Sequence, residues 1–486
     1  MNGQNVRKGP AEILCITMAG LLLAFFAGEM SLYSTEEPPV RIALQSAGFA
    51  ALVLVFIRLL RPGKGKTREK ISVFFRNDRR NLLILAAAAI LPRILWLVSV
   101  PPQIISDYGL YVRLAGEYAV TGTIGRDVYL LAVAPGAPAF AAVLGLVMRI
   151  FGTGAGTAVG FCLVLNLLNI FLVYAIGRKL MPAPGAFAAA GVFALLPENV
   201  FSSTLPGTEP AALFLLLAGI LTLLGARHRE GAAALLFCAG GGLLLALSAW
   251  IRASAWAAIL AAAVMLLGDS RRTFSRRLLR LAALVLAASS VLAGQQAFRN
   301  RIFNGEKPAS GLGWTLYEGL DLENGGKWTE EKSKHCIEVI TAYPPEEADR
   351  IFLAEGLERY RGYTLGEKAL LFLRKGGALW YESRYSLISV EGSPTFPRLL
   401  DMTVFAWSAC LALLAACLLR RLREPVRKDL RAGAVFCLTI LLATSLWHEA
   451  GTSIGRYHYM LIPFVLLLAA QLLPDMPERA GKDQEP

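Results

Sequence analysis

The chain has 486 residues, 55% of them apolar and 17% charged, with a formal net charge of +13. Soluble domains carry about 25% charged residues, whereas here apolar runs of about 20 residues, enough to cross a bilayer, recur from end to end. A soluble enzyme, a fibrous protein and a disordered chain are all excluded, leaving a polytopic membrane protein.

In chain order, spans are read at 13–33, 40–60, 81–100, 157–177, 183–200, 210–226, 232–249, 253–268, 278–296, 399–419, 430–447 and 457–474. Arg7 and Lys8 precede the first, but no small-residue cleavage site follows it, so it reads as a retained span and not a signal peptide. A further apolar stretch, Ala137–Phe151, is shorter and flanked by Pro135, Gly136, Pro138, Gly152, Gly154 and Gly156. Whether it crosses decides the side of everything downstream.

Basic residues in short loops prefer the cytoplasm. The loop after the second span carries Arg58, Arg61, Lys64, Lys66, Arg68, Lys70, Arg76, Arg79 and Arg80. With Ala137–Phe151 lying in the interface, four later clusters fall on the same side: Arg178–Lys179, Arg227–Arg229, Arg271–Arg277 and Arg420–Lys428. With that segment crossing, all four move outside. The reading is therefore an interfacial helix, about twelve crossings, both chain ends cytoplasmic, and an integral protein of the plasma membrane. The positive charge sets orientation and meets anionic lipid; nothing supports nucleic-acid binding.

The same parity puts three features outside: the loop 101–156, the turn 197–210 and a stretch of roughly 100 residues, 297–397. The scattered aromatics of the last, Trp314, Tyr317 and Trp328, argue against disorder. Its tail, 364–381, alternates Leu/Phe with Lys/Arg and predicts a helix lying on the membrane surface. Six of the seven cysteines sit in apolar runs, and Cys336 has no loop partner, so no disulfide framework is legible. Gly240-Gly241-Gly242 lies inside a span and reads as close helix packing.

The outer face gathers the groups chemistry can use. Ser106-Asp107-Tyr108 follows span three, with Tyr111 and Tyr118 near the same face if 107–118 is helical. Asp107 is a candidate general base for an incoming hydroxyl or amine, or simply a solvated acid at a helix start. Glu209 opens span six; it is a second candidate acid, or an acid favoured there by the helix dipole. Glu198 is the weaker of the two. Arg252, between Trp250 and Trp256, and Arg456, beside Tyr457 and His458 and after His448 and Glu449, suit bidentate phosphate binding. The alternative is arginines snorkelling to headgroups. Arg93, in mid-span beside Pro92, must point into the bundle, and Asn166 and Asn169 read as interhelical glue.

This order of motifs is Ser-Asp-Tyr-x-x-Tyr after an outward span, Pro135-Gly-x-Pro138 opening an amphipathic helix that ends Phe151-Gly152, and Tyr174-x-x-Gly-Arg-Lys-Leu. Leu195-Leu196-Pro197, Thr208-Glu209, Arg252, and Arg456-Tyr457 followed by Pro463 complete it. The pattern resembles the GT-C glycosyltransferases that use lipid-linked sugars, especially glycosyltransferase family 39, the dolichyl-phosphate-mannose–protein mannosyltransferases, and their bacterial relatives. The resemblance runs from about residue 81 to the end. It implies an all-α membrane bundle of the GT-C fold, divided into an added N-terminal hairpin and basic loop (1–80), a catalytic transmembrane core (81–296), an extracytoplasmic loop (297–397) and C-terminal helices (398–486). It also implies a hexosyltransferase moving sugar from a polyprenyl-phosphate donor to an extracytoplasmic acceptor. Asp107 and Glu209 would be its catalytic acids, and Arg252, Arg456, Tyr457 and His448 would hold the donor phosphate. Tyr108 and Tyr111 would contact acceptor or sugar.

Two departures stand out: Tyr108 follows Asp107 where many relatives have a second acid, and Ala134 stands where many have a tyrosine. They leave acceptor identity and any divalent metal open, and no cofactor is firmly implied. A polysaccharide polymerase or ligase, a lipid or solute transporter, and a non-catalytic scaffold are the rival readings; a transporter places its charges at mid-membrane, and here the acids cluster at one boundary.

Overall fold

The computed structural model describes residues 10–33, 39–59, 74–75, 77–125, 127–134, 136–303, 305–381, 384–423, 432–452 and 455–473. Among these the regular structure is all helical. In chain order the α-helices are α1 (Pro10–Tyr33), α2 (Pro39–Leu59), α3 (Asp78–Ser99), α4 (Ser106–Thr121), α5 (Val128–Ala132), α6 (Ala137–Phe151) and α7 (Ala155–Leu180). They continue with α8 (Ala183–Leu195), α9 (Pro197–Ser202), α10 (Glu209–Ala226), α11 (Gly231–Ile251), α12 (Trp256–Leu267) and α13 (Phe274–Ile302). The last are α14 (Leu312–Gly319), α15 (Glu330–Ala342), α16 (Pro345–Gly362), α17 (Leu365–Tyr381), α18 (Phe396–Arg423), α19 (Ala432–Ala450) and α20 (Ile462–Leu472).

Among the described residues eight helices are long and apolar enough to cross a membrane: α1, α3, α7, α10, α11, α13, α18 and α19. The expected count of about twelve is not reproduced, because the apolar parts of α2, α8, α12 and α20 are shorter pieces of 10–17 residues. Proline and tight turns explain three of these. The span read at 183–200 stops at Leu195, since Pro197 cannot continue the α8 hydrogen-bond ladder and instead starts α9. The span read at 457–474 begins with a 3-10 turn, Gly455–Met460, before Pro463 starts α20, and α12 follows a similar turn at Ala253–Ala255. Of the residues used to orient the chain, Arg61, Lys64, Lys66, Arg68, Lys70, Arg76, Arg427 and Lys428 lie outside the described residues, as do Pro135 and both chain ends.

Small residues set the tightest contacts. In the α11–α13 seam a Cβ at Gly242 would strike the Leu284 backbone, and between α10 and α11 one at Gly241 would strike the Leu223 side chain. Arg93 is fully buried, its guanidinium donating to Asn166 Oδ1 (3.0 Å) and to the carbonyls of Ala89 (2.8 Å) and Ala194 (2.9 Å). Asn166 in turn donates to Asn199 Oδ1 and the Tyr459 hydroxyl, and Asn169 to the Pro210 carbonyl. Arg93, Asn166 and Asn169 thus each hydrogen-bond beyond their own helix, as the cost of a bare polar group in hydrocarbon favours.

The described residues of 297–397 include the helices α14 to α17. Trp314, Tyr317 and Phe352 make a small core between α14 and α16, with Trp314 and Phe352 edge to face at 5.2 Å, and this core packs on Ala132 and Val133 of the first loop. The expectation of a surface helix at 364–381 is corrected. The C-terminal half of α17, from Lys375 through Tyr381, is buried, with Gly376 against Phe25 and Gly377 against the Glu29 backbone of α1. Tyr381 donates to the Leu22 carbonyl at 2.6 Å. Glycines let α17 sink onto α1, so its buried half is shielded from the bilayer surface.

Candidate active site

Asp107 is carried in the first turn of α4, directly after Ser106, the one non-glycine residue with positive φ (54°) among the described residues. The chain enters this helix from an extended Ile105. Glu209 starts α10 behind Thr208, Arg252 ends α11 in extended conformation, and Arg456 sits in the 3-10 turn before α20.

These four charges meet in one network. Arg456 Nη2 donates to Asp107 Oδ2 at 3.0 Å. Its Nε lies 2.8 Å from Glu209 Oε1, a charge contact without hydrogen-bonding alignment. Arg252 Nη1 donates to the same Oε1 (2.6 Å) and to Thr208 Oγ1 (2.7 Å). The Tyr457 ring lies 4.6 Å under the Arg252 guanidinium and stacks on His448 at 4.7 Å. Tyr108 and Tyr111 are buried on the next turns of α4, and the Arg456 guanidinium is 5.8 Å from the Tyr108 ring. Burial alone would favour a neutral Arg456, but Glu209 above all, with Tyr108 and Asp107, holds its pKa well above the ordinary arginine value. Burial pushes the Tyr108 phenol up to about 12, against the pull of Arg456, so it stays a hydrogen-bond donor.

A cavity of about 460 Å³ opens over this network. Asp107, Tyr111, Arg252, His448, Arg456 and Tyr457 line it. Glu209 and Tyr108 do not. They line a separate recess of about 30 Å³ that shares Arg456 with the cavity. Glu209 is only 6% exposed, and its carboxylate is engaged by both arginines and Thr208, so it is placed to hold guanidiniums and not to meet an incoming acceptor. His448 Nδ1–H donates to the Thr452 carbonyl at 3.2 Å, and its Nε2 is buried without a hydrogen-bond partner. The turn Gly455–Met460 also separates neighbours that sequence groups together. Arg456 and Tyr457 face the cavity, while His458 is fully buried behind it, bonded to Glu198 at 2.8 Å and stacked on Trp407 at 4.9 Å.

Sequence reasoning missed several residues of the cavity wall: Trp256 and Trp447, Tyr129 from the first loop, and Gln295 and Arg299 from α13. The last two were legible as neighbours one turn apart on a helix face, but a basic residue at a span end reads first as a topology signal. Among the described residues no group of three or more His, Cys, Asp or Glu side chains is arranged to hold a metal ion.

Residues 135–293 match the family model of the dolichyl-phosphate-mannose-protein mannosyltransferases. The match takes in α6, Leu195-Leu196-Pro197, Thr208-Glu209 and Arg252, and the resemblance read from sequence is borne out over these residues; Asp107 and Arg456 lie outside it. No curated protein matches the chain. Among solved structures, the chain is similar to the archaeal oligosaccharyltransferase AglB from Archaeoglobus fulgidus in complex with an inhibitory peptide and a dolichol-phosphate. The identity is 14% and the TM-score 0.36, over 81% of this chain and 55% of that one. It is also similar to ArnT from Cupriavidus metallidurans bound to undecaprenyl phosphate, at 14% identity and a TM-score of 0.35, over 80% of this chain and 77% of that one. The chain thus spans little more than half the length of the archaeal enzyme.

Proposed function

We propose that this chain is a membrane glycosyltransferase that moves a sugar from a polyprenyl-phosphate donor to an acceptor hydroxyl or amine on the extracytoplasmic side of the plasma membrane. The observation that carries this reading is the sharing of one cavity by Asp107 and the Arg252–Arg456 pair. The family match over 135–293 supports it, and the side of the membrane follows from the parity of the basic loops.

In the proposed reaction the acceptor oxygen or nitrogen forms a bond to the anomeric carbon while the bond from that carbon to the phosphate oxygen breaks. The acceptor's proton passes to the Asp107 carboxylate, and the bonding electron pair leaves on the phosphate, where guanidiniums meet the growing charge. Base and leaving group lie on opposite faces of the ring, so the anomeric centre inverts. Glu209 is here a positioning residue that keeps Arg252 and Arg456 charged and aimed, in place of the second catalytic acid its sequence position suggests. Tyr457 packs under Arg252 and holds its plane. Transport is the less favoured rival, because the one mid-span charge singled out in the sequence, Arg93, is tied to Asn166 and two carbonyls with nothing left to carry.

The test is to offer purified protein a panel of radiolabelled polyprenyl-phosphate sugars and follow the label. Glycosidic transfer, or slow release of free sugar to water, supports the reading. Movement of the intact lipid across a proteoliposome without bond cleavage refutes it.

A further inference from the structure

The network described above is electrically closed. Asp107 and Glu209 together neutralise Arg252 and Arg456 before any substrate arrives. A phosphate brought by the donor therefore needs a cation that is not already spent.

The cavity wall holds one. Arg299, in the last turn of α13, lines the cavity, and among the described residues its side chain has no hydrogen-bond or ion-pair partner, with Nε buried and unmet. Gln295, one turn earlier, lines the same wall. Leu292, Gln295 and Arg299 are three, four and seven residues apart, so they share a helix face. That face runs from apolar to charged over about 10 Å. At its apolar end Val291 and Leu292 line the cavity together with Ala246, Ala249 and Trp250 of α11. A span-end arginine that merely snorkels would turn to headgroups outside the bundle, whereas this one faces the space in front of Asp107.

Resting on the reading above, we infer that Arg299, with Gln295 beside it, is the donor-phosphate subsite, with the polyprenyl chain lying along the α11–α13 seam and the sugar reaching toward Asp107. The charge count agrees. Three guanidiniums against two carboxylates leave a surplus of one, which matches the single negative charge of a sugar–phosphate–prenyl diester. After transfer the phosphate becomes a monoester with a second ionisation near pH ~6, and a fork of donors without competing acceptors suits that added charge.

The test compares binding of a long-chain polyprenyl phosphate to the wild-type protein and to Arg299→Gln, Arg299→Lys and Gln295→Leu in detergent. Uncharged polyprenol, inorganic phosphate and phosphatidylglycerol serve as separate probes, and melting midpoints serve as the folding control. Loss of one charge-assisted contact predicts polyprenyl phosphate binding about 10- to 100-fold weaker in Arg299→Gln. Arg299→Lys is expected to recover most of the affinity, Gln295→Leu to lose less than Arg299→Gln, and polyprenol binding to stay unchanged in all. In turnover the donor KM rises with kcat changed far less.

Equal affinity of wild type and Arg299→Gln for polyprenyl phosphate overturns the inference while leaving the transferase reading in place. An equal loss for phosphatidylglycerol makes Arg299 a general headgroup contact and overturns it too. Failure of the wild-type protein to prefer polyprenyl phosphate over polyprenol removes the parent reading, and this one with it. Should Arg299→Gln not fold, the comparison of Arg299→Lys and Gln295→Leu with wild type decides the matter.

Discussion

Asp107→Asn separates catalysis from architecture because the two contributions differ so much in size. The Asp107 side chain is 40% exposed and takes a single bond, from Arg456 at 3.0 Å. Asparagine keeps an oxygen that accepts this bond, so only the charge term is lost. For an ion pair this open to solvent that term is below about 1 kcal/mol. Removing a general base lowers the rate by about 10²- to 10⁴-fold, equivalent to about 3–5 kcal/mol of transition-state stabilisation. The expected result is a kcat reduced by two to four powers of ten at saturating donor, with the melting midpoint in detergent little changed and polyprenyl phosphate still bound. A kcat within about tenfold of wild type refutes the assignment of Asp107 as base, however well the protein folds.

Glu318, buried in α14, gives a prediction in pH. Burial pushes its carboxyl up to about 8, Lys332 opposing and Asp107 adding to the effect. The unfolded chain releases this proton near the ordinary 4.5, so between those values the folded state binds the extra proton and stability falls as pH rises. Glu318→Gln removes the cost, and its melting midpoint relative to wild type should climb between pH 5 and pH 8; a constant offset across that window contradicts the proposed proton. Arg93→Ala strands the Asn166 carbonyl oxygen and opens a cavity among helices, costing about 3–5 kcal/mol. Size-exclusion thermostability should record an early loss of the folded peak, and an unchanged curve would mean the network carries no stability.

The residues that meet in the charge network were legible where each sits beside a helix end: Asp107 after α3, Glu209 at α10, Arg252 between α11 and α12, and Arg456 before α20. Side alone, read from the parity of basic loops, grouped them. What side could not convey is who neutralises whom. Nothing in the spacing of Glu209 and Arg252 shows that this carboxylate turns from the cavity to bridge two arginines. Pro197 and Pro463 mark where α8 stops and α20 starts, but the apolar composition runs straight through both, so the spans were read too long. His458 was linked to Arg456 by adjacency, and a 3-10 turn buries it behind the cavity against Glu198. In the tail at 364–381 the alternating Leu/Phe and Lys/Arg residues are visible, but glycines have no side chain to announce that a helix will press against them, so the embedding of α17 became readable only with Phe25 and Gly28 in place.

That embedding bears on how the molecule is made. The bond from Tyr381 to Leu22 joins residues 359 apart, and Gly28 has its seat on Leu373. During synthesis α1 must wait in lipid, unlatched, while residues 34–364 follow it. Only then does its berth exist, and the late closure of such a long loop is slow. A nascent chain halted before α17 would keep its first helix without this seat.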